Sequence, residues 1–382
     1  MKVALVCDSM SAFGGAERVI EQILWIYPKA DLFTVLDVVP EGQRGFLQGR
    51  SIQTSFLQKM PKIGSYYRKL LYFWPLAVEQ LDVSAYDLVI SSHHSVAYGV
   101  LTRPGQVHVS YVHSPMRYAW DLQHEYLRNA GLDRGTLGML ARFTLHKVRV
   151  WDYAAAQRPD AIAASSAFVA ERLLRTHRRE AKIIHPPVAL DARPRDAGGH
   201  QRRRAGYYLS LGRLVPYKRV DLLARAFARM PHRRLKIVGE GPDLAKVAGL
   251  RAPNVEVLGF QPDDRVRDLL VGAEAYMFAG IEDFGITAVE AQAVGTPVIA
   301  YRAGGLTETV VGLHRPSPTG LFFTEQSEGA IVEAVEAFER NRHAFTADAC
   351  IANAQRFSER RFRDSFAAFR RFLFDAMPHP GS

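Results

Sequence analysis

Residues 278–305 read FAGIEDFGITAVEAQAVGTPVIAYRAGG: a strand end, a loop, a helix, a second strand and a glycine loop in succession. Apolar residues stop at Phe278 and Ala279, and residues 280–284 form a loop. From Gly285 onward Ile286, Val289, Ala293 and Val294 recur at helical spacing. Gly295-Thr296-Pro297 ends that helix, and residues 298–301 make a short buried strand. Glu282 lies in the loop and Glu290 about two turns into the helix; at about 1.5 Å of rise per residue they stand on the order of 10 Å apart. Between them the amides of Phe284, Gly285, Ile286 and Thr287 sit at a helix N-terminus, where unpaired N–H groups attract phosphate.

The residues before this unit repeat its plan. A strand over 207–211 runs into Gly212-Arg213-Leu214-Val215-Pro216-Tyr217-Lys218-Arg219 and then a helix over 222–228. Arg213 offers a fork and Lys218 a point charge on the same side of that turn, a pair able to neutralise a diphosphate. VGEGP follows at 238–242, a strand at 254–260 leads into Gln261-Pro262-Asp263-Asp264, and GLFF at 320–323 is a further strand. The last long helix, 359–376, is rich in Phe and Arg.

The first half has the same alternation. A short apolar strand over 2–7, as in a parallel sheet, is followed by a loop over 8–13. Gly14-Gly15-Ala16-Glu17 then opens a helix with Val19, Ile20, Ile23, Leu24 and Tyr27 as its buried stripe. Paired glycines at such a turn let a backbone approach a ligand closely; on its own the pattern equally fits a simple tight turn. Strands are expected over 31–38, 86–91, 107–112 and around 158–166, with a long helix over 137–157. The strand over 107–112 ends in His113-Ser114-Pro115, which projects the imidazole from a strand's carboxyl edge, where such sheets bind ligands. Ser92-His93-His94-Ser95 follows another strand; adjacent histidines point different ways, and with no third ligand nearby they do not read as a zinc site.

Alternating strands and helices in both halves imply two doubly wound Rossmann-like α/β domains facing across a cleft: residues 1–188, a proline-, glycine- and arginine-rich linker at 189–206, and residues 207–358. Residues 59–81, KMPKIGSYYRKLLYFWPLAVEQL, interleave lysines and arginine with aromatics and hold no acid before Glu79. Two readings stay open there: an amphipathic segment lying on an anionic membrane, or a helical hairpin with its aromatics packed inward.

The 382 residues carry a formal charge of +10, which suits acidic partners such as nucleotide diphosphates, anionic lipid headgroups or nucleic acid. Basic residues are scattered over both halves and no nucleic-acid module is recognisable, so nucleic acid is not the expected partner. Two cysteines, Cys7 and Cys350, make no disulfide framework. Asp8 interrupts the first apolar run too early for a signal peptide, and no run is long enough to span a bilayer, so the expected compartment is the cytoplasm, with membrane-surface contact open.

The E-x7-E pattern from Glu282 to Glu290 with Phe-Gly after the first acid, the GR-x4-K turn at Arg213 and Lys218, GGAE at 14–17 and HSPMRYAWD at 113–121 resemble retaining glycosyltransferases of family 4, which have the GT-B fold. The resemblance spans nearly the whole chain. It implies that Glu282 and His113 contact a donor sugar, Glu290 the ribose hydroxyls, and the 284–287 amides and Gly14-Gly15 the donor phosphate. It further implies that Arg213 and Lys218 clamp the diphosphate, that the loop holding Gln261 and Asp263 borders the base, and that helix 359–376 packs back on the first domain. No divalent metal is expected, because the basic pair and the amides supply the positive field. HSPMRY and EDFGI look like the signatures of GDP-mannose users, and the former resembles bacterial mannosyltransferases of O-antigen assembly, which implies a lipid-linked glycan acceptor. GDP-rhamnose and UDP-sugars remain alternative donors. A GT-B sugar-nucleotide epimerase, a phosphorylase and a non-catalytic binding protein are the competing classes.

Overall fold

The computed structural model describes residues 1–190 and 204–376. Most of the expected linker (191–203) lies outside the described residues. The chain divides into two compact units: Met1–Pro187 together with the segment from Glu359 onward, and Val188–Ser358.

The first unit is built on a seven-stranded sheet in the order β3-β2-β1-β4-β5-β6-β7. Its strands are β1 (Val3–Met10), β2 (Asp31–Asp37), β3 (Ile52–Thr54), β4 (Leu88–His93), β5 (Val107–Val112), β6 (Ala161–Ala164) and β7 (Lys182–Ile183). Every pairing is parallel. A parallel sheet is covered on both faces, so β1, β4 and β5 are buried almost from end to end, polar residues such as Asp8, Ser91, Ser92, His93, His108 and Ser110 included. Helix Gly15–Ile26 buries Val19, Ile20, Ile23 and Leu24 on one face of the sheet. The C-terminal helix Glu359–Ala376 joins it there, seating Phe362 and Phe366 in the same core, with Phe362 edge-on to Tyr111 at 5.7 Å.

Three local expectations change. β1 continues through Asp8 to Met10, because the Asp8 carboxylate finds partners inside the protein and does not need solvent. β4 runs on through Ser92 and His93, held by pairing with β5 that extends to His93 against Val112. Residues 59–81 form no helical hairpin: Pro61, Gly64 and Pro75 punctuate them into 3-10 turns followed by a short helix, Trp74–Glu79. Their aromatics divide. Tyr67 and Trp74 stack and are buried, whereas Tyr72 and Phe73 are exposed.

The second unit has a six-stranded sheet, again all parallel, in the order β10-β9-β8-β11-β12-β13. Its strands are β8 (Tyr207–Leu211), β9 (Arg234–Val238), β10 (Val255–Gly259), β11 (Tyr276–Phe278), β12 (Val298–Tyr301) and β13 (Gly320–Phe323). The helix expected from the opening stretch is Ile286–Ala293. Among the described residues no helix is long and apolar enough to cross a membrane.

In both units the strand order reverses at one place, between β1 and β4 in the first and between β8 and β11 in the second. Loops leaving two such strands diverge to opposite faces and open a crevice at the carboxyl ends, the position where doubly wound sheets take ligands.

Candidate active site

In the second unit the crevice is formed by the turn after β8 and the loop after β11. Leu211 ends β8, and a 3-10 turn, Pro216–Lys218, brings Lys218 back over the strand end. Its Nζ lies 3.0 Å from Glu282 Oε1 in the β11 loop, with both side chains largely shielded (14% and 18% exposed). Glycines make this approach possible. A Cβ at Gly280 would fall 2.5 Å from the Tyr217 carbonyl and 2.6 Å from Lys218 Cα, so the two loops touch backbone to backbone. A Cβ at Gly212 would stand 2.9 Å from Lys218 Nζ, and Gly212 also has φ +138, a conformation open to glycine. The glycine loop after β12 completes the wall: Gly304 and Gly305 pack on the carbonyls of Glu282 and Asp283, and the Gly305 amide donates to the Glu282 carbonyl at 2.8 Å.

Gly285 caps helix Ile286–Ala293 in the left-handed region, and the helix's first amides, those of Ile286 and Thr287, have no intrahelical acceptor. Thr287 Oγ1 bonds the Tyr276 hydroxyl at 2.8 Å, tying the helix start to β11. Burial raises the Tyr276 phenol well above its ordinary value, and the charges of Glu282 and Glu290 push it further. Phe284 packs its ring against Phe357 at 5.3 Å and anchors the loop from beneath.

Arg213 is exposed on the turn that carries Lys218, and Gln261 and Asp263 follow β10, the edge strand of the same sheet. Gln261 donates to the Leu258 carbonyl at 2.8 Å, and Asp263 opens helix Asp263–Gly272 instead of belonging to a loop.

The crevice of the first unit is organised by a residue that sequence reasoning passed over. Asp8, fully buried, accepts the backbone amides of His94, Ser95, Val96 and Ala97 at 2.5–3.1 Å. It also lies 3.0 Å from His94 Nδ1. Burial alone would raise the Asp8 carboxyl, but the His94 ring and these bonds overcome it and hold the group well below the usual carboxylate range. In the other direction, burial opposes charge on His94 and Asp8 outweighs it, raising the imidazole. The signal in the sequence is a lone acid closing an apolar strand, a cost that a fold accepts only when partners are waiting.

His113 sits one strand over, its Nε2 2.8 Å from Ser92 Oγ and its amide bonded to the His93 carbonyl at 2.8 Å. Burial first, then the neighbouring His94, lowers it to about 3, so the ring is neutral. Gly14 is the N-cap of helix Gly15–Ile26, and Glu17 is buried behind it, its carboxyl raised mainly by burial. The carboxyl end of β1 and the turns after β1, β4 and β5 thus bring Asp8, Gly14, His94 and His113 to the carboxyl edge of this unit's sheet.

Residues 199–357 match the family model for glycosyl transferases group 1. The chain is 32% identical over 234 residues to the D-inositol 3-phosphate glycosyltransferase of Mycobacterium leprae, covering 54% of this chain and 53% of that protein. It is 31% identical over 210 residues to the protein of the same name from Streptomyces avermitilis (48% and 45% covered). The chain thus spans about half the length of the curated relatives it matches. Solved structures align over almost everything: the lipopolysaccharide outer core galactosyltransferase WaaB at 18% identity and a TM-score of 0.66, covering 99% of this chain and 100% of that one. Anabaena Alr3699/HepE in complex with UDP gives 18% and 0.69 over 97% and 99%. Sucrose-phosphate synthase from Thermosynechococcus elongatus gives 17% and 0.70 over 99% and 100%. Two all-parallel Rossmann-like sheets, each with its own switch-point crevice, and these neighbours make the fold GT-B.

Proposed function

We propose that the protein is a retaining glycosyltransferase of family 4 type that moves mannose from GDP-mannose to a lipid-linked glycan in bacterial surface polysaccharide synthesis. The observation that carries the reading is the Lys218–Glu282 pair, 3.0 Å apart in the switch-point crevice of the unit that matches the group 1 model, beside the N-terminus of helix Ile286–Ala293. Breaking the bond from an anomeric carbon to a diphosphate places negative charge on the leaving phosphate, and a cation and amides fixed in advance stabilise it without reorganising. On this reading Lys218, Arg213 and the amides of Phe284, Gly285, Ile286 and Thr287 take the diphosphate, which leaves no task for a divalent metal.

Glu282 then orients sugar hydroxyls and Glu290 the ribose. Gly14 and Gly15 let the first unit's backbone come close to the donor, and Gln261 and Asp263 border the base. His113, neutral and held by Ser92, orients the sugar and shares the positive charge of its transition state. The acceptor hydroxyl attacks the face from which the phosphate departs; its proton passes to that phosphate, and the configuration is retained. The setting is the cytoplasmic face of the membrane, where a lipid-linked acceptor is met.

A second reading has its own support: solved structures of Alr3699/HepE are complexes with UDP and with UDP-glucose, and the curated relatives are D-inositol 3-phosphate glycosyltransferases. It keeps the machinery and changes the donor to a UDP-sugar and the acceptor to a phosphorylated polyol. Incubation of the protein with GDP- and UDP-sugars, with and without membrane lipid extract, separates the two. Release of GDP from GDP-mannose, accelerated by the extract, is expected. Release of UDP alone selects the second reading, and no release from any donor overturns both.

A further inference from the structure

Helix Gly135–Ala155 of the first unit is amphipathic in the unexpected sense. Its inner side holds Leu145 and Val148, as a helix on a sheet should. Its outer side is also apolar. Leu137 (69% exposed), Met139, Leu140, Phe143, Val150 and Tyr153 all project to solvent on one broad arc. The ionisable groups among them and at the border are Arg142, His146, Lys147 and Arg149, and the one acid of the helix, Asp152, is fully buried against Trp120 and His177.

Trp151 Nε1 donates to Glu79 Oε1 at 2.8 Å, which ties the helix to Trp74–Glu79; Leu76 on that short helix and Tyr72 and Phe73 in the 3-10 turn before it are exposed as well. Lys59 and Lys62 are exposed nearby in sequence.

We propose that this face docks on an anionic lipid bilayer, with the helix in the plane of the interface. An apolar arc with Arg142, His146 and Lys147 among and beside it, on a helix whose one acid is buried, fits acyl chains beneath anionic headgroups. A second copy of the chain fits it poorly, since an isologous helix pair would set Arg142 and Lys147 against their own equivalents. Membrane contact is one of the two readings that sequence leaves open for residues 59–81; its proposed centre is this helix instead, because Tyr67 and Trp74 pack in the core. The inference rests on the reading above for the lipid-linked nature of the acceptor, and its test uses no sugar, so the two can fail separately.

The test is flotation of the full chain, without donor, on phosphatidylcholine vesicles with and without phosphatidylglycerol. Binding to the phosphatidylglycerol vesicles, weakening with added salt, is expected. Leu140→Glu with Phe143→Glu should lower partitioning at least about tenfold, and Lys147→Glu about fivefold or more. All three positions are exposed, so an unchanged unfolding midpoint certifies the fold. No flotation, or binding indifferent to these changes, overturns the proposal. So does a concentration-dependent dimer in light scattering that Leu140→Glu with Phe143→Glu abolishes, which would assign the face to a second copy. Vesicle binding without any nucleotide release would leave this inference standing and remove the enzymatic one.

Discussion

Removing one partner of the Lys218–Glu282 pair should separate stability from turnover. The two side chains meet at 3.0 Å and are only 14% and 18% exposed, so Glu282→Ala leaves a shielded ammonium without its counter-charge. Breaking a buried pair from one side costs about 3–5 kcal/mol, and residual solvent access here brings it to roughly 2–3 kcal/mol. For a unit of this size that lowers Tm by roughly 5–10 °C. Lys218→Ala should cost a similar amount. Lys218→Met combined with Glu282→Gln removes both charges and should regain most of the loss, since the desolvation penalty disappears with the attraction. Turnover should behave differently. If Lys218 stabilises the leaving phosphate, its removal costs on the order of 10²- to 10³-fold in kcat, and the double variant stays equally inactive despite its recovered stability. Differential scanning calorimetry and nucleotide release on the same preparations give both numbers. A stable double variant with turnover within about threefold of the natural protein would refute the assignment: the pair would then be a structural tie between two loops.

Gly280→Ala places a methyl 2.5–2.6 Å from the backbone of Tyr217 and Lys218, so the turn carrying Lys218 must move. At least a tenfold fall in kcat/KM is expected, whereas Gly329→Ala, where a Cβ meets nothing within 4 Å, should leave kinetics unchanged. The Asp8–His94 pair predicts a pH window. Asp8, depressed in the folded state, contributes stability that is full above its ordinary value of 3.8 and is lost as pH falls through the folded value. His94, raised in the folded state, contributes stability that is full below its ordinary 6.5 and is lost as pH rises through its folded value. The pair therefore helps most between about pH 4 and 6.5, and Asp8→Asn should flatten the unfolding midpoint across that range. A variant whose pH profile keeps the natural shape would contradict the pairing.

The two crevices were legible to different degrees, for a physical reason. In the second unit the chemistry lies within short sequence spans whose spacing is read directly: five residues from Arg213 to Lys218, eight from Glu282 to Glu290, glycines wherever two backbones touch. Local periodicity placed the helix after Gly285 and the strands around it, and the fold then brought Lys218 to Glu282 across 64 residues of chain, counting from 218 to 282. Sequence could name those two residues as candidates for one ligand, but not that they would pair with each other. In the first unit the organising contact joins Asp8 to the backbone of residues 94–97, and an acceptor that binds main-chain amides leaves no side-chain signature at its partner positions. Ser92-His93-His94-Ser95 reads in sequence as a loop at a strand's carboxyl end, whereas what the fold takes from residues 94–97 is four N–H groups. The exposed arc of helix Gly135–Ala155 escaped for a related reason: a periodic apolar pattern reveals a helix but not which of its faces the sheet will take. Two apolar faces and one sheet leave one face over, and only coordinates say which.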